Sequence, residues 1–369
     1  MYDVCIVGAG PAGSTLARLM PPHLRALLVD RRRLDHGYER GMRGKACGGL
    51  LAPAAQRELA RQGLGVPTSI MAGPQLFAVR TIDAQAELER HYQRFYLNVD
   101  REAFDRWLLS LVPDRVDTLL GFSVHAVDAT QQEPLLRLRG PNGESASVCT
   151  RLVVGADGAG SVIASSLGRG LEGSGYTAIQ GAFEGASADP YYGAFFDGAL
   201  TDFYGWSIPK GDATYVGIAL RHGRGAGQRF DDLVERLLEC GYSLGAPLLR
   251  QSAPLRRPSR PGHVVLGSDP VVLVGEAAGL ISASSAEGIS YALRSARILA
   301  GALEDGLSGA GARYRMGMMP VVGDVIGKIW KSRVLYDTGA RRLIMKSGVT
   351  ALREAPATRS AGKVRLREV

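Results

Sequence analysis

The chain opens on an unbroken apolar run, Val4-Cys5-Ile6-Val7, as expected of a strand buried on both faces. A glycine turn and a helix-prone stretch over residues 14–20 follow. Pro21-Pro22 stops that helix, and a second apolar run over residues 24–29 ends at Asp30. These thirty residues predict one βαβ unit. Residues 50–62 read as helical. Over residues 76–99 polar and apolar positions alternate with few breakers, the pattern of antiparallel strands. Asp100 has N-cap chemistry for a helix carrying Phe104, Trp107, Leu108 and Leu111 on one face. Short strands lead to Leu152-Val153-Val154, and residues 176–220 are again strand-rich and aromatic. Val271-Val272-Leu273-Val274 ends in Gly275 like a buried parallel strand, and a helical pattern runs from about Gly288 to Leu303.

These segments predict an α/β protein. A Rossmann-like domain is assembled from residues 1–75, 100–170 and 262–310, and an antiparallel-sheet substrate domain is inserted as residues 76–99 and 171–261. Residues 311–369 form a basic, helical C-terminal segment. With 369 residues, 46% hydrophobic and 22% charged, the chain can bury a core without disulfides, and disordered or collagenous classes are excluded. The four cysteines are far apart and show no metal or dithiol spacing, so no metal is expected. No leader-like N-terminus and no eighteen-residue apolar run is present, and the chain reads as cytoplasmic.

The net charge of +8 is concentrated: residues 323–369 hold eleven Lys/Arg against four Asp/Glu. There Val325, Ile326, Ile329 and Trp330 alternate with Lys328, Lys331 and Arg333, as in a basic amphipathic helix. Two readings stay open: a packed helix with a solvated end, or a patch resting on the inner face of an anionic membrane. No basic groove interleaved with aromatics accompanies the charge, so nucleic acid is not an expected partner.

The chemistry begins at Gly8-x-Gly10-Pro11-Ala12-Gly13, with a strand before it, a helix after it and Asp30 closing the next strand. Glycines there allow a sharp turn and close approach to a pyrophosphate at a helix N-terminus, while an acid at that distance accepts from a ribose. A dinucleotide is expected, with Arg31 beside it. Two further strands end in small-residue turns with one acid each, Val153-Val154-Gly155-Ala156-Asp157-Gly158 and Leu273-Val274-Gly275-Glu276-Ala277-Ala278-Gly279.

With these three motifs in order, roughly the first 310 residues resemble the FAD-dependent oxidoreductases of the p-hydroxybenzoate hydroxylase class. The resemblance implies FAD at the glycine turn, with Asp157, Gly275, Glu276, Gly288 and Ile289 joining its site. Glu276 stands where that class usually has aspartate. Arg101 matches the class's arginine packed near FAD. Lys45-Ala46-Cys47-Gly48-Gly49-Leu50 is similar to the lysine–cysteine–diglycine loop of geranylgeranyl reductases. Phe203-Tyr204-Gly205-Trp206-Ser207-Ile208-Pro209-Lys210-Gly211, followed by Val216-Gly217-Ile218-Ala219, resembles their aromatic-x-Trp-x-Phe-Pro signature, with Ile208 for phenylalanine. It implies Lys45, Ala46, Cys47 and Gly48 at the cofactor, and Cys47, Tyr204 and Trp206 as active-site residues.

Apart from the resemblance, Cys47 lies among Arg43, Lys45 and two glycines, an electropositive setting that favours a reactive thiol. A small buried cysteine in a turn would look the same. Cys5 and Cys149 sit in apolar strands and read as core. The aromatics of residues 191–215 serve either as sheet core or as the wall of an apolar pocket, and their place beside a flavin domain favours the pocket. The leading expectation is an FAD oxidoreductase that reduces a carbon–carbon double bond of an apolar, prenyl-bearing molecule. NADPH, NADH or a ferredoxin-type donor would be its transient reductant. The alternatives are an NAD(P)H-dependent flavin monooxygenase hydroxylating an aromatic or heteroaromatic ring, and a non-catalytic flavin-binding protein at a membrane surface.

Overall fold

Strand β1 (Tyr2–Val7) passes into helix α1 (Pro11–Arg18), which starts three residues earlier than the sequence pattern indicates. Proline has no amide hydrogen to lose at a first helical position, so Pro11 opens the helix instead of breaking it. Strand β2 (Ala26–Asp30) completes the βαβ unit. The computed structural model describes residues 1–35, 37, 47–130, 133–185, 191–223 and 225–352, so Arg43, Lys45 and Ala46 lie outside the described residues. Residues 50–62 are not one helix: β3 (Leu50–Leu51) precedes α2 (Pro53–Arg61). The residue before a proline is pushed out of helical geometry, and Ala52 is extended accordingly.

Strands β4 (Leu76–Asp83) and β5 (Leu88–Asn98) form the antiparallel pair that the alternation predicts. Asp100 caps α3 (Arg101–Ser110) by accepting from the amides of Glu102 and Ala103. Next come β6 (Asp117–Leu120), β7 (Ser123–Asp128), β8 (Leu135–Arg139), β9 (Ser145–Gly155) and α4 (Val162–Ser166). The second half of the chain adds β10 (Gly175–Glu184), β11 (Tyr192–Phe196), β12 (Gly205–Lys210), β13 (Ala213–Arg221), α5 (Ala226–Glu239) and β14 (Pro247–Arg256). It closes with β15 (Gly267–Ser268), β16 (Val271–Leu273), α6 (Ile289–Leu303), α7 (Ala310–Tyr336) and α8 (Thr338–Ser347).

Two sheets result. The first has the order β15-β16-β9-β1-β2-β6, with β16, β9, β1, β2 and β6 parallel. Its central strands are buried on both faces, α1, α6 and α7 forming one cover, and each fully buried Val, Ile or Leu is worth about 1.5–3 kcal/mol. Only the second half of β9 lies in that core. Its first half pairs with β8 in an antiparallel flap, where positions alternate between exposed and half-buried. Cys149 falls on an exposed position there, which corrects its reading as a core residue, whereas Cys5 is fully buried.

The second sheet runs β14-β10-β13-β12-β11-β4-β5-β3, antiparallel except between β11 and β4. One face packs on α5 through Phe230, Leu233 and Leu237. The other carries Tyr176, Phe196, Phe203 and Tyr204 against Tyr336 of α7. Alternation along β12 sorts its residues between the two faces. A Cβ on Gly205 would lie 2.8 Å from Leu233 of α5. Trp206, Ile208 and Lys210 are thereby turned to the opposite face. Helix α8 is held to the second sheet by a buried ion pair, Arg341 Nε to Asp83 Oδ2 at 2.6 Å.

Candidate active site

The three glycines of the opening turn are needed for different reasons. Gly8 has φ of +105°, and a Cβ there would stand 2.6 Å from the Ala156 carbonyl oxygen. A Cβ on Gly13 would fall 1.8 Å from the Gly8 oxygen. Gly10 differs: its φ of −80° and ψ of −171° suit any residue, and nothing lies within 4 Å of where its Cβ would be. The protein's own packing therefore does not require glycine at position 10. As the N-cap of α1, Gly10 has no side chain capping the helix, so no side chain of the protein answers the positive end of its dipole there. Gly10, Pro11 and Ala12 thus fit a cradle for a diphosphate, and the residues present fit FAD.

Asp30, buried at the end of β2, accepts the Ala9 amide at 2.6 Å and so ties strand end to glycine turn. The Arg32 amide and Nε donate to Oδ1 at 2.7 and 3.1 Å and Arg32 Nη2 to Oδ2 at 3.2 Å. The carboxylate's roughly four lone-pair sites are thus filled, and a ribose hydroxyl would have to displace one of the Arg32 bonds. Gly275, with φ of +58°, brings the late motif against α1, its Cβ position 3.1 Å from Ala12 Cβ. Helix α6 packs on α1 and begins at Ile289, with Gly288 as an N-cap that makes no side-chain bond.

Two acids of the predicted site are committed elsewhere. Asp157 accepts from Ser161 Oγ at 2.5 Å and from the Val162 amide at 2.8 Å, so its carboxylate caps α4. Glu276 Oε1 accepts the Arg256 amide at 2.9 Å, linking the late motif to the end of β14. Arg31 is exposed, and its neighbour Arg32 turns inward.

From Asp30 an alternating ladder of charge crosses to the cysteine loop. Arg32 Nε donates to Asp30 Oδ1 at 3.1 Å and Arg32 Nη1 to Asp105 Oδ2 at 2.8 Å. Arg101 Nε donates to Asp105 Oδ1 at 2.9 Å and Arg101 Nη1 to Cys47 Sγ at 3.3 Å. Burial pushes the Asp105 carboxyl up, but Arg101 and Arg32 outweigh it and hold the group below the ordinary range of an aspartate. Burial likewise opposes charge on both arginines, and it is outweighed only by Asp105 together with Asp30 at Arg32 and with Cys47 at Arg101.

The same loop meets the aromatic strand. A Cβ on Gly48 would stand 2.4 Å from Ile208 Cδ1, and one on Gly49, where φ is +62°, would stand 2.8 Å from Lys210 Nζ. The Lys210 ammonium donates to the Val99 oxygen at 2.7 Å and the Gly49 oxygen at 3.4 Å. Burial brings its pKa down to about 7, with Cys47 and Asp100 opposing the shift. Tyr204 donates to the Ser285 oxygen at 2.9 Å and accepts from Tyr192 Oη at 3.1 Å. Burial raises its phenol above the ordinary range, and Cys47 lies near enough to add to the rise. The Trp206 ring stands edge-on to Tyr204, centroids 6.0 Å apart, and its edge lies 2.3 Å from the Cβ position of Gly217. Glycine at 217 is what lets the indole lie across β13.

Cys47, Tyr204 and Trp206 are therefore brought to one wall, with Gly48 and Arg101. Arg32, Asp105 and Lys210 belong to the same constellation and were not singled out from sequence, whereas Tyr192 is one of the aromatics of residues 191–215. The four-residue spacing of Arg101 and Asp105 on one helix was the available signal for the acid. A separate cleft of about 550 Å³ lies between the second sheet and α7–α8, lined by Arg257, Phe203 and Tyr336 among others. Its lining contains none of Cys47, Tyr204, Trp206 or the glycine turn, so the chemistry is not assigned to it.

Known proteins share this fold. The family model described as "FAD binding domain" matches residues 1–190. Protein CbrA from Escherichia coli O6:H1 (strain CFT073) is 39% identical over 348 residues, covering 94% of each chain. Protein CbrA from Shigella sonnei (strain Ss046) is 39% identical over 94% of this chain and 97% of its own. Among solved structures, a geranylgeranyl bacteriochlorophyll reductase-like protein from Thermoplasma acidophilum superposes with a TM-score of 0.74 at 20% identity, covering 94% of this chain and 90% of that one. PqsL, a probable FAD-dependent monooxygenase from Pseudomonas aeruginosa, gives 0.67 at 20% identity over 94% and 98%. The p-nitrophenol 4-monooxygenase PnpA from Pseudomonas putida gives 0.68 at 16% identity over 94% of each chain. These structural likenesses establish the shared α/β fold. The chain belongs to the FAD-binding domain family and is related to CbrA over nearly its whole length.

Proposed function

We propose that this chain reduces a carbon–carbon double bond of an apolar, prenyl-bearing small molecule. The observation that carries the reading is the meeting, at one diglycine loop, of proton-holding groups (Cys47, Lys210) with an aromatic wall (Tyr204, Trp206, Tyr192). Such a reduction adds one hydride and one proton across the double bond. Reduced FAD supplies the hydride when bound and ends oxidised, and NADPH, NADH or a ferredoxin-type donor restores it. The chain's residues do the rest. The amides of Gly10, Ala12 and Gly13 hold the diphosphate, Asp30 takes the ribose by releasing one of its Arg32 bonds, and Gly275, Gly288 and Ile289 lie along the remaining length. The aromatic wall receives the apolar chain and excludes water. Cys47 Sγ, oriented by Arg101, holds the proton for the second carbon, and Lys210 at the rear of the loop replaces it.

The likeness to PqsL and PnpA keeps ring hydroxylation as the second reading. Turnover without oxygen separates the two. With a geranylgeranyl-bearing lipid and reduced FAD-loaded protein, double-bond reduction is expected at an unchanged rate under anaerobic conditions. Product that forms only in air and contains one atom of labelled oxygen would overturn the reductase reading.

A further inference from the structure

We infer that the outward face of α7, continued by α8, docks on an anionic lipid bilayer. The inference stands on these two helices and does not depend on the reductase reading. Helix α7 buries Ala310, Tyr314, Met318, Val321, Val325 and Ile329 against the protein. The opposite stripe, at three- and four-residue steps, is Met316, Met319, Gly323, Gly327, Trp330 and Val334. Its four side chains are between 50% and 70% exposed. The solvent stripe of a surface helix is ordinarily charged or polar, and this one is apolar with two glycines. Helix α8 adds Leu343, 72% exposed, and Ile344.

The charge around this stripe is predominantly positive. Residues 310–352 hold eight Lys/Arg against two acids, Asp324 and Asp337. Arg315, Lys331, Arg333, Arg342 and Lys346 are exposed. The Arg333 guanidinium lies 4.2 Å from the centre of the Trp330 ring, an aromatic and a cation presented together. Lys331 is destabilised as a cation by partial burial and by its like-charged neighbours Lys328 and Arg94. Lys328 itself reaches Asp324 at 4.0 Å.

That combination selects the occupant. A second copy placed symmetrically on the same face would set this cationic surface against itself. No helix among the described residues is long and apolar enough to cross a membrane, so the face lies on a bilayer surface and does not span it. Indole and methionine side chains enter the interfacial layer while lysine and arginine meet anionic headgroups. Tyr336, one turn beyond Ser332 on the inner side of α7, packs on the aromatic wall through Phe203, their ring centres 5.1 Å apart. Docking thus sets the bilayer beside the sheet that carries Tyr204 and Trp206.

The test is sedimentation of the FAD-loaded full chain with vesicles of phosphatidylcholine alone, or of phosphatidylcholine mixed with phosphatidylglycerol. Binding at least about tenfold tighter to the anionic vesicles is expected, weakening as salt rises. The pair Trp330→Ser with Val334→Ser, and separately the pair Arg342→Glu with Lys346→Glu, should each weaken it about tenfold. All four side chains are exposed, so circular dichroism and melting should not change. Equal partition to neutral and anionic vesicles, no binding by the native chain, or variants that bind as the native does would overturn the proposal. So would a vesicle-free dimer that Trp330→Ser with Val334→Ser abolishes, which would give the face to a second copy. None of these outcomes bears on the anaerobic turnover.

Discussion

Replacing Cys47 with serine is expected to leave FAD bound and lower turnover by about 10²-fold or more, the scale on which a positioned proton donor contributes. Serine is smaller than cysteine and still accepts a hydrogen bond from Arg101, so the loop geometry should survive. A hydroxyl is a far weaker acid than a thiol, and it should not release the proton on the timescale of turnover. Cys149 is the internal control: it lies exposed on the β8–β9 flap, and Cys149→Ser should change nothing. Steady-state rates of flavin reoxidation by substrate, with bound flavin quantified by absorbance, give both readouts. Native turnover in Cys47→Ser would remove the thiol from the mechanism and leave Lys210 as the proton source.

Asp105→Asn should cost about 3 kcal/mol of stability and weaken FAD binding. The carboxylate is 1% exposed and lies between two guanidiniums, and removing one partner of a buried charge pair typically costs about 3–5 kcal/mol because the remaining charge is stranded. Arg32 is one-third exposed and partly screened, which puts the expected cost at the lower end of that range. The pH dependence has a definite sign. The folded-state pKa of Asp105 is depressed, so its contribution is complete above the unfolded value of about 4 and disappears as pH falls through the folded value. Urea unfolding of the native chain and Asp105→Asn should therefore differ fully at neutral pH and converge in strong acid. Superimposable curves at pH 7 would mean that the ladder carries no energy.

The parts of the fold readable in advance were those written in local pattern. The double-sided burial of β1, the N-cap at Asp100 and the alternation over β4 and β5 each follow from a run of neighbouring residues. Cys149 was misread because an apolar strand context does not say whether a partner layer covers it, and the first half of β9 has solvent at every second position. The charge ladder was hidden for a different reason. Arg31, Arg32 and Arg33 are indistinguishable as sequence, and only the path of the chain leaving β2 decides that Arg32 faces Asp105. Lys210 shares a strand face with Trp206 and Ile208 by simple alternation, but its contact with Gly49 joins residues 161 positions apart. The candidate site was legible as motifs. Its electrostatics were not.

The account rests on the opening glycine turn as the seat of a diphosphate, and Gly10 offers the cleanest way to ask. Its backbone conformation and the empty space around it show that alanine would be tolerated by the protein alone. FAD titration of flavin-free native protein and of Gly10→Ala, with melting of both, is the measurement. The predicted result is an unchanged melting temperature without flavin and FAD affinity lowered at least about tenfold, the effect of a methyl group placed where the phosphates approach the backbone. Equal FAD affinity in the two proteins would contradict it.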